Sequence, residues 1–322
     1  MIETPVPIAP GPSAEDLLRD ELSEGDAQIG TYGPILRHLL TNDEHSVFSD
    51  EIIARVRGMI ADIARQMLDE LTTAADQGGE RAHDAVAQNA LVASLTAHPS
   101  LLAHCHALAL EWHLTERLQA RLALDPVLSP LLQALIASTE ALTATHAMAL
   151  LAAQARFAQQ QRRMQLPLIE LPGDLLHATL VSLCAFGGEG AAQQELCAKA
   201  ERAIRASYDE GRSRLGLASR LIAAMGGGAT AALSVGHAGA AMFLTALALA
   251  SGQDRDLAVL ATCEGQFARL ALSLRAAGLK PQAIEEQFMA LYPDVTLPDN
   301  FDQLGADRAA ALLARSTPYP GF

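Results

Sequence analysis

Aromatic side chains are scarce in this chain, at 4% of 322 residues, with a single Trp. No stretch alternates β-branched or aromatic residues with polar ones, which is the pattern of a half-buried strand, so a sheet is not expected. Cysteine is equally sparse. The four thiols, at 105, 184, 197 and 263, form no CxxC pair and match neither a zinc site nor a secreted disulfide framework. They read as reduced, buried thiols acting as small apolar groups. Basic residues are outnumbered, 23 against 37 acidic ones, for a net charge of −14. Residues 1–80 alone hold 16 acids and five bases. Such a field repels phosphate backbones and anionic lipid surfaces, which excludes sequence-independent nucleic-acid binding and argues against a membrane surface. The segment MIETPVPIAPGPSAED has no basic region and no apolar run, so no signal peptide is read there and a cytoplasmic location is expected.

Recognisable chemistry is missing as well. There is no G-x-S-x-G elbow, no Cys/His pair with an orienting acid and no paired carboxylate setting, so no catalytic residue is assigned and no enzyme is expected. The glycine clusters Gly187–Gly190 and Gly226–Gly228 follow no strand and carry no phosphate-binding Lys; helix termination explains both, and no cofactor is expected. The histidines at 98, 104, 106 and 113 have no i,i+3 or i,i+4 partner, and His106 and His113 lie roughly 10 Å apart along a helix. A metal site would need ligands from other helices; none is assigned, and the histidines read as partly exposed. His146 and His237 read as hydrogen-bonded core histidines.

What the sequence does hold is helix. Half the residues are hydrophobic and Ala and Leu dominate, the residues that cost least in a helix. The expected fold is all-α, a multihelical bundle or irregular α-solenoid of antiparallel helix hairpins, with no clean repeat. Ser13 can cap a short acidic helix, after which Gly25, Gly30, Gly33 and Pro34 read as breaks before a short helix over 34–40. The clearest helix spans 49–73: Ile52, Val56, Met59, Ile60, Ile63, Met67 and Leu71 share one face, and Arg55, Asp62, Arg65 and Asp69 lie opposite, towards water. Further helices are predicted over 80–97, 99–123, 130–138, 139–165, 174–186, 190–208, 209–225, 229–251, 254–261, 264–277, 281–292 and 305–315.

The segment from Leu166 to Asp174, with two prolines, marks a boundary. It gives a mobile acidic N-terminal arm over 1–33 with one short helix, a helical half over 34–165 and another over 174–322, or one continuous domain. Residues 221–253 lack any Asp, Glu, Lys or Arg, a length compatible with a membrane span. Glycine interruptions and Ala-rich composition favour a helix buried by its neighbours instead.

Two polar clusters stand out. Arg156, Arg162 and Arg163 end one helix, where positive charge complements the dipole. In Tyr208-Asp-Glu-Gly-Arg-Ser-Arg214, the pairs Asp209/Arg212 and Glu210/Arg214 have helical ion-pair spacing. With Tyr208, these residues form the candidate partner or ligand surface.

The stretches 155–174, 208–215 and 269–279 together resemble the alphaproteobacterial family catalogued as domain of unknown function 2336, over roughly residues 140–292. The resemblance implies a helical bacterial cytosolic protein and carries over no catalytic residue. The expected role is a non-enzymatic scaffold or regulatory adaptor with a protein partner. The alternatives are a small-molecule or anion sensor with a pocket lined by Arg156, Arg162, Tyr208 and Arg212, and a metal-dependent enzyme using His104, His106 or His113.

Overall fold

The computed structural model describes residues 13–41, 50–75, 85–186 and 190–316. The expectations for the arm over 1–12, for the start of the 80–97 helix and for Gly187–Glu189 lie outside these residues. The described residues form fourteen α-helices and no strand, as the Ala/Leu composition requires.

Helix α1 (Ala14–Thr41) is unbroken through Gly25, Gly30, Gly33 and Pro34, which corrects the reading of those residues as breaks. Its buried face, Leu18, Leu22, Gly25, Ile29 and Leu36, keeps helical spacing throughout. Gly25 serves close approach: the Gln266 amide lies where a Cβ would project and donates to the Gly25 carbonyl at 2.9 Å. The acids of α1 are partly held by basic partners. Glu15 pairs with Arg308 at 2.5 Å, and Asp26 accepts from Arg269 and from Ser316.

Helices α2 (Asp50–Ala74), α3 (Ala85–Thr96), α4 (Pro99–Leu122) and α7 (Gly173–Phe186) enclose one apolar core with Phe157 of α6 (Ala141–Arg162). A second core collects α9 (Arg214–Ala224), α10 (Val235–Ser251), α11 (Arg255–Leu260), α12 (Phe267–Ala276), α13 (Pro281–Leu291) and α14 (Ala306–Arg315). Helix α4 feeds both, giving Leu101, Cys105, Leu108 and Trp112 to the first and Ala107, Leu114 and Leu118 to the second. Residues 101–109 of α4 are all buried, so its polar residues must find partners inside the protein. The remaining helices are α5 (Pro130–Ile136), set by Ser129 as N-cap, and α8 (Ala191–Ser207), packed on α2 and α7.

The charge-free stretch divides. Helix α10 is core, with Met242 to Ala248 buried without a gap, whereas Gly226–Leu233 forms a 3-10 run whose first three glycines, Thr230 and Ala231 are exposed. The two pieces meet at 112°, and no single described helix is long and apolar enough to cross a membrane. Inside α10, Gly239 adopts φ 70° and ψ 169°, and its Cα approaches Ser129 so closely that an added Cβ would lie 3.1 Å from the Ser129 Cβ.

Candidate functional site

The segment between α6 and α7 is held from three sides. From α2, the Asp62 carboxylate accepts the Leu166 N–H at 3.1 Å. Gln66, one turn on, donates to the Leu166 carbonyl at 2.9 Å and accepts the Leu168 N–H at 3.1 Å. From the end of α8, the Tyr208 hydroxyl donates to the Leu171 carbonyl at 2.8 Å. From α9, the Arg214 N–H donates to the Glu170 carboxylate at 2.9 Å. A chain that prolines exclude from a helix leaves backbone groups unpaired, and these side chains satisfy them. The polar face of α2 is therefore only half solvated. Arg65 and Asp69 are exposed as expected, but Asp62 is buried by this duty, and Arg55 is buried where it donates to the Gln161 carbonyl ending α6 and lies 5.7 Å from the Trp112 ring.

Beneath the segment lies an ion cluster whose centre is Arg214. Its guanidinium meets the Glu111 carboxylate of α4 through both terminal nitrogens, at 2.5 and 3.0 Å, and stacks 3.7 Å from the Phe157 ring centroid. Arg255 of α11 makes a charge contact at 2.9 Å with Glu111 Oε2, the oxygen that also accepts the 3.0 Å Arg214 bond, and donates to Thr245 at 3.2 Å. One turn-pair earlier on the same face of α4, His104 meets Asp256 at 3.0 Å, so consecutive residues of α11 serve two α4 side chains seven positions apart. Burial pushes the Glu111 carboxyl up, but the two guanidinium groups outweigh it and hold the group down to about 2. Glu170 lacks that double pairing. Burial pushes it above its ordinary value against the opposing charges of Arg214 and Arg156.

Five corrections to the sequence reading follow. Arg214 is 1% exposed and belongs to the core, so it cannot contribute to a surface. The 209–225 helix starts only at Arg214: Ser213 caps it by accepting the Gly216 N–H at 3.0 Å, and Glu210–Arg212 is a 3-10 turn. Neither expected ion pair is what these residues form, since Asp209 accepts the Gly211 N–H at 3.0 Å and Arg214 turns inward to Glu111. His104 and His106 are buried, where partly exposed side chains were expected; of these four histidines His113 alone is exposed, and the half-buried His98 bonds Ser182 at 2.7 Å. His146 and His237 are half-buried rather than core. Among the described residues, no group of three or more His, Cys, Asp or Glu is arranged to hold a metal ion.

Of the other candidate residues, Arg156, Arg162, Arg163, Asp209, Glu210 and Arg212 are exposed and Tyr208 is half-buried. The structure gathers Arg156, Tyr208 and Glu210 around the connecting segment. Arg156 acts on Glu170 by charge, while Glu210 and the Tyr208 hydroxyl both approach Gly173. Arg162 and Arg163 stay at the C-terminus of α6. Two open grooves flank the segment. One, with about 830 Å³ of empty space, runs between α2 and the end of α8 over Pro167, Leu168, Ile169, Ile204 and Tyr208. The other, about 690 Å³, lies over Glu170, Glu210, Gly211 and Arg220. Burial, together with the charges of Glu210, Asp174 and Asp209, pushes the Tyr208 hydroxyl up to about 12.

Sequence reasoning missed Glu111, Glu170, Arg255, Asp62 and Gln66. For Glu111 a signal existed: it is the one acid in the first three turns and more of α4, and it shares the direction of His104. No protein-family model, curated protein or solved structure matches the chain.

Proposed function

We propose that this protein is a non-enzymatic helical adaptor of a bacterial cytoplasm, and that it docks a protein partner on the face formed by residues 166–172 and the end of α8. Membership of the domain of unknown function 2336 family is part of the same proposal, on the residues that carry the resemblance. The observation that supports docking is the groove over Pro167, Leu168 and Ile169. It is open, apolar along its floor, and built on a backbone that Asp62, Gln66, Tyr208 and Glu170 hold in place. Pre-organised apolar surface of this kind lowers the ordering cost of association. The strongest polar chemistry, around Arg214 and Glu111, is sealed from solvent and serves cohesion. An anion sensor would need arginines around the Tyr208 groove, and among the described residues its lining instead includes Asp69 and Glu70 and no arginine.

The test is affinity recovery from a cell lysate with wild type, Ile169→Asp, and the Arg162→Glu/Arg212→Glu double variant. The double variant should keep the wild-type far-UV spectrum and melting temperature, because exposed changes usually move stability by less than about half a kcal/mol. Ile169→Asp, at a half-buried residue, should keep the spectrum with a modestly lower melting temperature. Ile169→Asp should lose a partner that the wild type retains in stoichiometric amount. If it folds normally and keeps every partner, the proposed face is wrong; if wild type holds a small molecule that the variants release, the sensor takes its place.

A further inference from the structure

We infer that the groove between α2 and the end of α8 recognises a basic segment, one in which Lys or Arg flank two or three apolar anchor residues. The inference rests on the adaptor reading and deepens it by naming the chemistry of the partner.

The floor and the rim of the groove have opposite character. Pro167, Leu168 and Ile169 present apolar surface backed by the buried Ile204, and the Tyr208 ring extends it, its hydroxyl donating to the Leu171 carbonyl. Within that open space the cavity proper, about 400 Å³, falls within the range of roughly 300–1,000 Å³ typical of ligand pockets, so it accommodates a few side chains and not a whole helix. Along the α2 wall stand Asp69 and Glu70. Beyond the Tyr208 ring, towards the neighbouring groove, the Glu210 carboxylate and the Tyr208 hydroxyl meet over Gly173, and Asp174 and Asp209 add negative charge there. Arg65 already sits against Asp69 at 3.0 Å, and Arg220 stands beside Asp209 where it donates to the Gly211 carbonyl, so Glu70 and Glu210 carry most of the remaining negative field.

Among the described residues, no basic side chain lines the groove beside Asp69 and Glu70. A cationic ammonium or guanidinium flanking an apolar anchor would meet Asp69 and Glu70 along the α2 wall, with the Tyr208 ring at the α8 end and the Glu210 carboxylate beyond it, a setting that attracts cations. An acidic segment would meet repulsion from the same groups, which gives selectivity by charge as well as affinity.

A phage-displayed random peptide library panned against the full chain tests this. Enriched sequences should carry Lys or Arg beside apolar residues. A synthetic copy should bind with an affinity that falls as salt rises. Glu70→Lys/Glu210→Lys should weaken it by roughly tenfold or more, and Ile169→Asp should weaken it at every salt concentration. Three results overturn the inference. Neutral or acidic peptides that still depend on Ile169 would leave the adaptor groove standing without charge selection. Basic peptides indifferent to all three substitutions would reveal only diffuse attraction to an acidic protein. Absence of any enrichment would remove the basic partner, and Ile169→Asp retaining every partner in the lysate test would remove the adaptor with it.

Discussion

Arg214 and Glu111 stand 103 positions apart in the chain and meet as a bidentate pair, each side chain 1% exposed. The pair joins α9 to α4, and Arg255 adds α11 to the same carboxylate. Because Arg214 also donates its backbone N–H to Glu170, the ion cluster fixes the connecting segment on which the proposed docking face is built.

Breaking one member should therefore cost far more than removing all. Glu111→Ala leaves two buried guanidinium groups without their anion, and loss of one partner of a buried pair typically costs 3–5 kcal/mol. Replacing Glu111, Arg214 and Arg255 together by Leu, Met and Met removes the charges and keeps volume, so stability should stay within about 1 kcal/mol of wild type. Urea unfolding of both variants checks this. A single and a triple variant of equal stability would mean that the cluster is not energetically coupled.

The same contrast applies to α1. Glu15 and Arg308 form an exposed pair, so Arg308→Ala should change stability by no more than about 1 kcal/mol. Asp26→Ala instead strips the main anion from Arg269, which is 1% exposed and whose ionisation burial already opposes. A loss of roughly 3 kcal/mol is expected there. Thermal melts of the two variants distinguish an anchored α1 from one held by apolar contacts alone.

The helices were readable because their information is local: caps, prolines at first turns and a 3.6-residue apolar period. Thus α4 begins at Pro99 and α13 at Pro281, as the prolines suggest. Where the reading failed, the deciding partner lay far along the chain. Gly25 looks like a break until Gln266, 241 positions on, occupies the space a side chain would need. Arg214 has a helical partner in sequence at Glu210, yet Glu111 offers a desolvated carboxylate and Phe157 a ring face, and these win over an exposed pair of a few tenths of a kcal/mol. Asp62 sits on a face that periodicity gives to water, and nothing within α2 reveals that Leu166 will bring it an N–H. For the site, the surface positions of Tyr208 and Glu210 were legible, and the grooves beside them were not, because a groove belongs to no single element.

Gly216 tests how tightly the turn before α9 is set. A Cβ there would lie 2.2 Å from the Glu210 backbone oxygen, within the Ser213 cap. Gly216→Ala should shift the 210–213 turn and destabilise the protein by about 1–3 kcal/mol, even though Ala is the better helix former by nearly 1 kcal/mol. Gly236, with nothing near its missing side chain, should accept Ala without such a penalty. Equal melting temperatures for the two variants would contradict the geometry of the cap.

Acid should destabilise the protein in two overlapping steps. Burial pushes His106 down to about 4 from an ordinary 6.5, with the Asp256 charge opposing it, so the folded state keeps the ring neutral while the unfolded chain takes up a proton. Its contribution is therefore complete above about pH 6.5 and is lost as the pH falls through 4. Glu111 is held at about 2 against an ordinary 4.5, so its contribution is complete above about pH 4.5 and is lost as the pH falls through 2. Each separation corresponds to a contribution on the order of 3 kcal/mol. Glu170, raised by burial, works the other way, since its protonation favours the folded state; Glu170→Gln should steepen the loss in the pH window above its ordinary 4.5 by removing that compensation. Urea midpoints across this range give the profile. His106→Gln should flatten it between pH 6.5 and 4 and leave the lower step in place, while the triple replacement at Glu111, Arg214 and Arg255 should remove the lower step alone. A profile unchanged by His106→Gln would show that another group takes up the first proton.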